Sequence, residues 1–238
     1  MNGIELALRF SYITNSLRFC GPEIAHKQFL EYLDKKDNIG EVENSLLKFE
    51  SLKPYLTSIA EKAKKDCFDY KVAEAYWIGN ELLDDFNDKD MEEIITKLIL
   101  RGLPKLIAEK LIENLPSGLV PHHNFNVMYV GVGMTTQAVE TNLQNMDNCR
   151  ISWGKVIEVL QDKLIVTTNS LIKNNDKFEL KEGETKTIVY LPQMLNDIKK
   201  DDIVALHWGF AAMVLNNVQL GNLEKYTNKI LNVLNKVG

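Results

Sequence analysis

Cys149 and His207 are the side chains of this 238-residue chain whose types and settings most invite chemistry. Cys149 lies in the run NCRISWGKVIEV, beside an arginine and at the start of an expected β-strand. A thiolate is a soft donor suited to iron or to transient covalent capture, and a nearby cation favours its ionised form. Arg150 is adjacent, but in a strand its side chain points to the opposite face. Carbonyls at the end of a helix before Cys149 would raise the thiol pKa. The competing structural role is a buried, inert cysteine at a barrel edge. His207 sits in IVALHWGFA, apolar on both sides, where an imidazole serves as metal ligand, proton carrier or hydrogen-bonded core residue.

A second set of candidates comes from Cys20, His122 and His123. Cys20 in FCGP stands at a helix-to-helix turn, ahead of a new helix N-terminus whose partial positive charge lowers a thiol pKa. Paired with His122 or His123 it would form a Cys-His site for nucleophilic catalysis or metal binding. The two histidines are adjacent, so on a strand they face opposite sides and cannot both line one pocket. The carboxylates Glu81, Asp84, Asp85, Asp88 and Asp90 read as a solvated helix end. Tyr76 and Trp77 read as core or interface aromatics, and Asn15 and Asn80 as buried caps.

Bulk composition narrows the function classes. A net charge of −5 without a basic block argues against a nucleic-acid or membrane-surface role. The N-terminal residues read as an amphipathic helix rather than a leader, and no apolar run is long enough to span a bilayer. Three cysteines without disulfide spacing fit reduced thiols in a cytoplasm. No CxxC pair supports a ribbon-type zinc site.

The elements that must position these groups fall into two halves. From Gly3 to about Leu115 the period is helical, with about six helices joined by short connections; Gly102 is the expected C-cap of one of them. GLVPHHNFNVMYVGVG alternates and reads as a strand, and TTQAVETNLQNMDN as a helix capped by Thr135 or Thr136. RISWGKVIEVLQ, KLIVTTNSLI, KFELKEG, TKTIVYL and DDIVALHWGFAAMVL are β-type runs, and NLEKYTNKILNVLNKV closes as a helix. The expected fold class is α+β. A helical domain spans 1–117, a strand-helix connection 118–148, and a small barrel with a terminal helix 149–238.

Two motifs in the second half resemble the hydrogenase-maturation chaperones of the HypC type. CRISWGKVIEV matches their opening cysteine and glycine-led strand at Cys149, Gly154, Lys155 and Val156. DDIVALHWGFA matches their later strand at Asp202, Val204, His207, Gly209 and Ala211. The resemblance covers roughly Cys149 to Leu215. It implies an OB-type barrel, iron as cofactor, Cys149 as soft ligand with His207 beside it, and a metalloprotein or maturation complex as partner. Trp153 replaces the usual proline and Asp201 the usual glycine, and Cys149 follows a helix instead of forming a free N-terminus. The whole chain also resembles uncharacterised bacterial and archaeal proteins that join a helical domain to such a barrel, on SLRFCGP, VAEAYWIGN, PHHNFNVMYVG and NMDNCRISWG.

The leading expectation is therefore a cytoplasmic, non-enzymatic accessory protein that binds a metal group or a partner metalloprotein. A rival is an enzyme with Cys20 or Cys149 as nucleophile and His122 or His123 as base, in a cleft between the halves. A third is a binding module with inert thiols. A short Cys149–His207 separation favours the first, and Cys20 beside His122 or His123 in a pocket favours the second.

Overall fold

The computed structural model describes residues 1–236, so Val237, the expected end of the last helix, lies outside the described residues. Seven α-helices form the first half: α1 (Gly3–Ser16), α2 (Ala25–Lys35), α3 (Ile39–Leu46), α4 (Leu52–Ala63), α5 (Tyr70–Trp77), α6 (Asp88–Ile99) and α7 (Lys105–Glu113). Their ends follow local chemistry. The Asn2 side chain accepts from the Glu5 amide at 2.8 Å, and Asn87 and Asp90 close a capping box on α6. Helix α1 buries Leu6, Ala7, Leu8, Phe10, Ser11 and Thr14, more than one stripe. It accordingly runs through the middle of the molecule, against α2, α3, α5 and the barrel.

The segment after α7 is not the expected strand. It forms a short helix α8 (His123–Phe125) that runs on as a π-helix, Asn126–Gly131. Val120, Phe125, Val127, Met128 and Val130 are all buried and only Asn126 and Tyr129 keep partial exposure, so the run is enclosed on most sides. An element with so narrow a polar face carries no reliable period, and its Val and Tyr content imitates a strand. The His122 ring begins the helix, with Nδ1 accepting from the Asn124 amide at 3.0 Å. The next helix, α9 (Leu143–Cys149), is capped by Asn142, not by Thr135 or Thr136. Thr135 instead shares a 3.0 Å hydroxyl contact with Ser51.

Five strands follow: β1 (Ser152–Val159), β2 (Lys163–Asn174), β3 (Lys177–Val189), β4 (Ile203–His207) and β5 (Phe210–Val214). They close into a barrel in the order β1-β2-β3-β5-β4, with β4 returning to pair with β1. KFELKEG and TKTIVYL are one long strand, β3, while DDIVALHWGFAAMVL folds back on itself as β4 and β5. The β2–β3 turn at Asn175–Asp176 and the β4–β5 turn at Trp208–Gly209 both have two positive φ values. That is the hairpin geometry that matches strand twist, and at Trp208 (φ 50°) a bulky residue bears it.

Helix α10 (Asn217–Leu234) ties the barrel back to the helices. Gln219 Nε2 donates to Tyr70 Oη at 3.0 Å and to Glu74 Oε1 at 3.1 Å. The Tyr226 ring fills the space where a side chain on Gly79 would stand; its Cδ2 is only 2.2 Å from that Cβ position. One apolar core, from Leu6 to Leu231, runs through helices and barrel together. Among the described residues, no helix is long and apolar enough to cross a membrane.

Candidate metal centre

The barrel and the helical half meet where α1, α5, α8, α9 and β4 converge, and there three separate elements present His123, Cys149 and His207 to one point. Their ligand atoms all lie within 4.8 Å of one another. Cys149 Sγ is 3.7 Å from His123 Nε2 and 3.7 Å from His207 Nε2. Cys149 is the last residue of α9, not part of a strand as expected, and β4 ends at His207.

The hydrogen bonds around the rings fix which nitrogen faces the sulfur. His207 Nδ1 is 2.9 Å from the Phe10 carbonyl, which only accepts, so Nδ1 carries the proton and Nε2 turns its lone pair to Cys149. His123 Nε2 lies 3.1 Å from the Cys149 carbonyl, and Nδ1 lies 3.0 Å from Tyr76 Oη. Without metal, His123 Nε2–H donates to that carbonyl and the tyrosine hydroxyl donates to Nδ1. Ligation through Nε2 requires the opposite tautomer, which the same hydroxyl supports by accepting instead of donating. Trp77 packs against both rings, with centroids 4.7 Å from His123 and 5.8 Å from His207. Tyr76 and Trp77 are thus core aromatics and also the support of the cluster.

Burial sets the protonation states. Cys149 keeps some exposure as a residue, but its sulfur is enclosed, and burial pushes the thiol up to about 12. The Trp208 indole N–H stands beside the sulfur without a well-formed hydrogen bond, and offsets part of that rise. Burial holds His207 down at about 4, and holds His123 well below the ordinary imidazole range, with the neighbouring His207 adding to the effect. A thiol at about 12 does not hand its proton to an imidazole at about 4. The resting pair is neutral, the opposite of an activated thiolate nucleophile.

A cavity of about 70 Å³ opens on the cluster. Cys20, Thr14 and Ser11 line it with Phe19, Phe49, Trp77, Trp208 and the three metal-type residues, and among the described residues no Asp, Glu, Lys or Arg side chain does. Cys20 therefore shares a cavity with His123, as the enzyme expectation asked. Its thiol, however, donates to Thr14 Oγ1 at 3.0 Å, and burial raises its pKa instead of the helix start lowering it. Helix α2 begins only at Ala25, too far along the chain to act on Cys20. His122 leaves the site altogether: it is buried, occupied at Nδ1 with the Asn124 amide, and held at about 3 by burial. Cys67 stands apart, partly exposed, with its thiol pKa raised by burial.

Arg150, beside the thiol in sequence, turns away from it as expected, but as an anchor. It is fully buried and holds Asp147 Oδ1 at 2.8 Å and Asn169 Oδ1 at 2.8 Å. Asp147 also accepts from the Leu171 amide at 2.7 Å and from Lys186 at 3.2 Å. The last turn of α9 is so bolted to β2 and β3. On the other side, Asn124 exchanges two hydrogen bonds with the backbone of Ile151, at 2.7 and 3.1 Å. Cys149 is held between these two clamps. Arg150→Met is expected to cost about 3–5 kcal/mol in urea unfolding, because it leaves Asp147 buried without its principal cation. A variant within about 1 kcal/mol of the wild type would contradict the anchoring role.

The family described as "Family of unknown function (DUF6390)" matches residues 1–238. No curated protein and no solved structure matches the chain.

Proposed function

We propose that this chain, which belongs to DUF6390, a family of unknown function, holds one metal ion through Cys149 Sγ, His207 Nε2 and His123 Nε2. The observation that carries this is the donor spacing. A tetrahedral ion with about 2.3 Å to sulfur and about 2.0–2.1 Å to imidazole nitrogen separates the two donors by about 3.6 Å. Here both sulfur–nitrogen separations are 3.7 Å. The Phe10 carbonyl on His207 Nδ1 and the Tyr76 hydroxyl on His123 Nδ1 supply the outer hydrogen bonds that orient ligating histidines.

One thiolate and two imidazoles form a donor set of borderline softness, suited to iron and zinc. Iron is the ion named by the resemblance of Cys149–Leu215 to the HypC-type chaperones, and we read the closed barrel as an OB-type barrel of that kind. The role that follows is that of an accessory or maturation factor, with a metalloprotein or maturation complex as partner. The enclosed setting changes one aspect of that role. The cysteine of this chain is clamped inside the fold, so the ion is retained in the protein and reached through the cavity.

Anaerobic iron loading tests the reading, with zinc in parallel, on wild type, Cys149→Ala, Cys149→Ser and His207→Ala. About one iron per chain with a thiolate charge-transfer band is expected for the wild type, and little metal for the variants. Urea unfolding of the near-isosteric Cys149→Ser separates lost ligation from lost folding. Equal iron in all four proteins, or none in the wild type, overturns the assignment.

A further inference from the structure

Three protein donors leave one tetrahedral position to a ligand from outside, and the cavity beside the cluster defines what that ligand is. The inference rests on the metal reading above.

Charge comes first. A divalent ion with one thiolate and two neutral imidazoles carries a net single positive charge, and a buried charge without a partner is costly. Among the described residues, no acidic side chain lines the cavity. Glu50, which lies behind Cys20, is engaged with the Gly21 amide at 2.9 Å. Neutrality is therefore left to the incoming ligand.

Hydrogen bonding points the same way. The Ser11 hydroxyl is 1% exposed as a residue, lines the cavity and has no partner. The indole N–H groups of Trp77 and Trp208, both residues that line the cavity, also lack a well-formed hydrogen bond among the described residues; that of Trp208 stands beside the Cys149 sulfur. Indoles only donate, and buried donors are ordinarily satisfied. A group that accepts hydrogen bonds is what this wall lacks.

Size closes the description. An apolar cavity of about 150 Å³ takes benzene, so one of half that volume takes roughly two to four heavy atoms. We propose that the cavity is a binding site for a small monoanion of two to four heavy atoms. One end of the anion fills the fourth position of the ion, and the other accepts from Ser11 and the Trp208 indole.

The test uses the full chain loaded with Co(II), whose visible absorption reports its coordination, titrated with azide, formate and benzoate. Metal content is measured first. Azide and formate are expected to change the spectrum at saturation with one ion each, and benzoate, too large for the cavity, to leave it unchanged. Ser11→Ala removes an unpartnered hydroxyl, so it should fold at least as well as wild type and retain metal. Its azide affinity should nevertheless fall about tenfold, the loss of roughly one hydrogen bond to an anion. Trp208→Phe, which keeps the ring and deletes the N–H, should weaken azide similarly. If no Co(II) is retained, the metal reading fails and this inference with it. If Co(II) is retained but azide leaves the spectrum unchanged, benzoate binds as well as azide, or both variants bind azide like wild type, the anion site is overturned and the metal site stands.

Discussion

Metal affinity should climb about tenfold for each unit of pH between about pH 5.5 and about pH 8.5, a total of roughly a thousandfold. The slope follows from the protonation states that burial imposes. Cys149 titrates at about 12 and must lose its proton to ligate, so throughout this window each binding event releases one proton. His207 at about 4 and His123, held well below the ordinary imidazole value, are neutral already and release none. His123 only moves its proton from Nε2 to Nδ1, which does not enter the pH dependence. Chelator competition at a series of pH values measures the slope directly. A thiolate already formed in the resting protein, as the cysteine-nucleophile reading requires, would make the curve level off above about pH 6. A flat curve would therefore remove the neutral-thiol description of the site and restore that rival.

Acid should unfold the metal-free protein steeply, because three imidazoles are buried in their neutral form. His122 is held at about 3, His207 at about 4 and His123 well below its ordinary value, all by burial. Each returns to about 6.5 in the unfolded chain. Between the folded and unfolded values the unfolded state binds more protons, so stability rises with pH and is lost as pH falls below about 6.5. Each fully coupled histidine contributes about 1.4 kcal/mol per pH unit, so His122 and His207 together give about 3, and His123 adds in the same direction. Two units of acidification then remove about 5 kcal/mol or more, comparable with the whole stability of a modest domain. Urea unfolding across pH checks this, and His122→Asn isolates one contributor. Asparagine offers the Asn124 amide an oxygen in place of Nδ1 and does not titrate, so the slope should fall by about 1.4 kcal/mol per unit. An unchanged slope in that variant would mean that His122 is protonated inside the fold.

The long periodic helices were legible in the sequence because each pairs an apolar stripe with local stop signals, as α2, α6 and α10 do. Closure of the β-rich half was legible too, from short runs separated by turn residues such as Asn175–Asp176. What misled was the interior. The run from Val120 to Gly133 is almost wholly enclosed, with only Asn126, Tyr129 and Gly133 partly exposed, so no continuous polar face reported its helical period, and its valines and Tyr129 read as a strand. The single reading of DDIVALHWGFAAMVL failed for a different reason. Its turn is carried by Trp208 and Gly209, both at positive φ, and a bulky aromatic at the first of these positions is what no turn rule nominates; packing against Phe19, 4.5 Å between ring centroids, holds it in place.

The candidate site divides along the same line. The residue types were determined by the sequence alone, as was the fact that a helix precedes the cysteine. The nearness of Cys149 to His207 was an expectation from the resemblance of two motifs in order, and the fold places the two 3.7 Å apart. Only the tertiary structure decided that His123 joins them while its neighbour His122 is spent on a helix start. A register on α8 chose between them, and α8 was not visible as a helix. Only the tertiary structure showed what Arg150, expected on the face away from the thiol, does there: it is the buried partner of Asp147. The protonation states were likewise beyond the sequence. Local signals favoured a lowered pKa at Cys20, but desolvation by α1, α5 and the barrel outweighs them and leaves every thiol and imidazole of the cavity neutral.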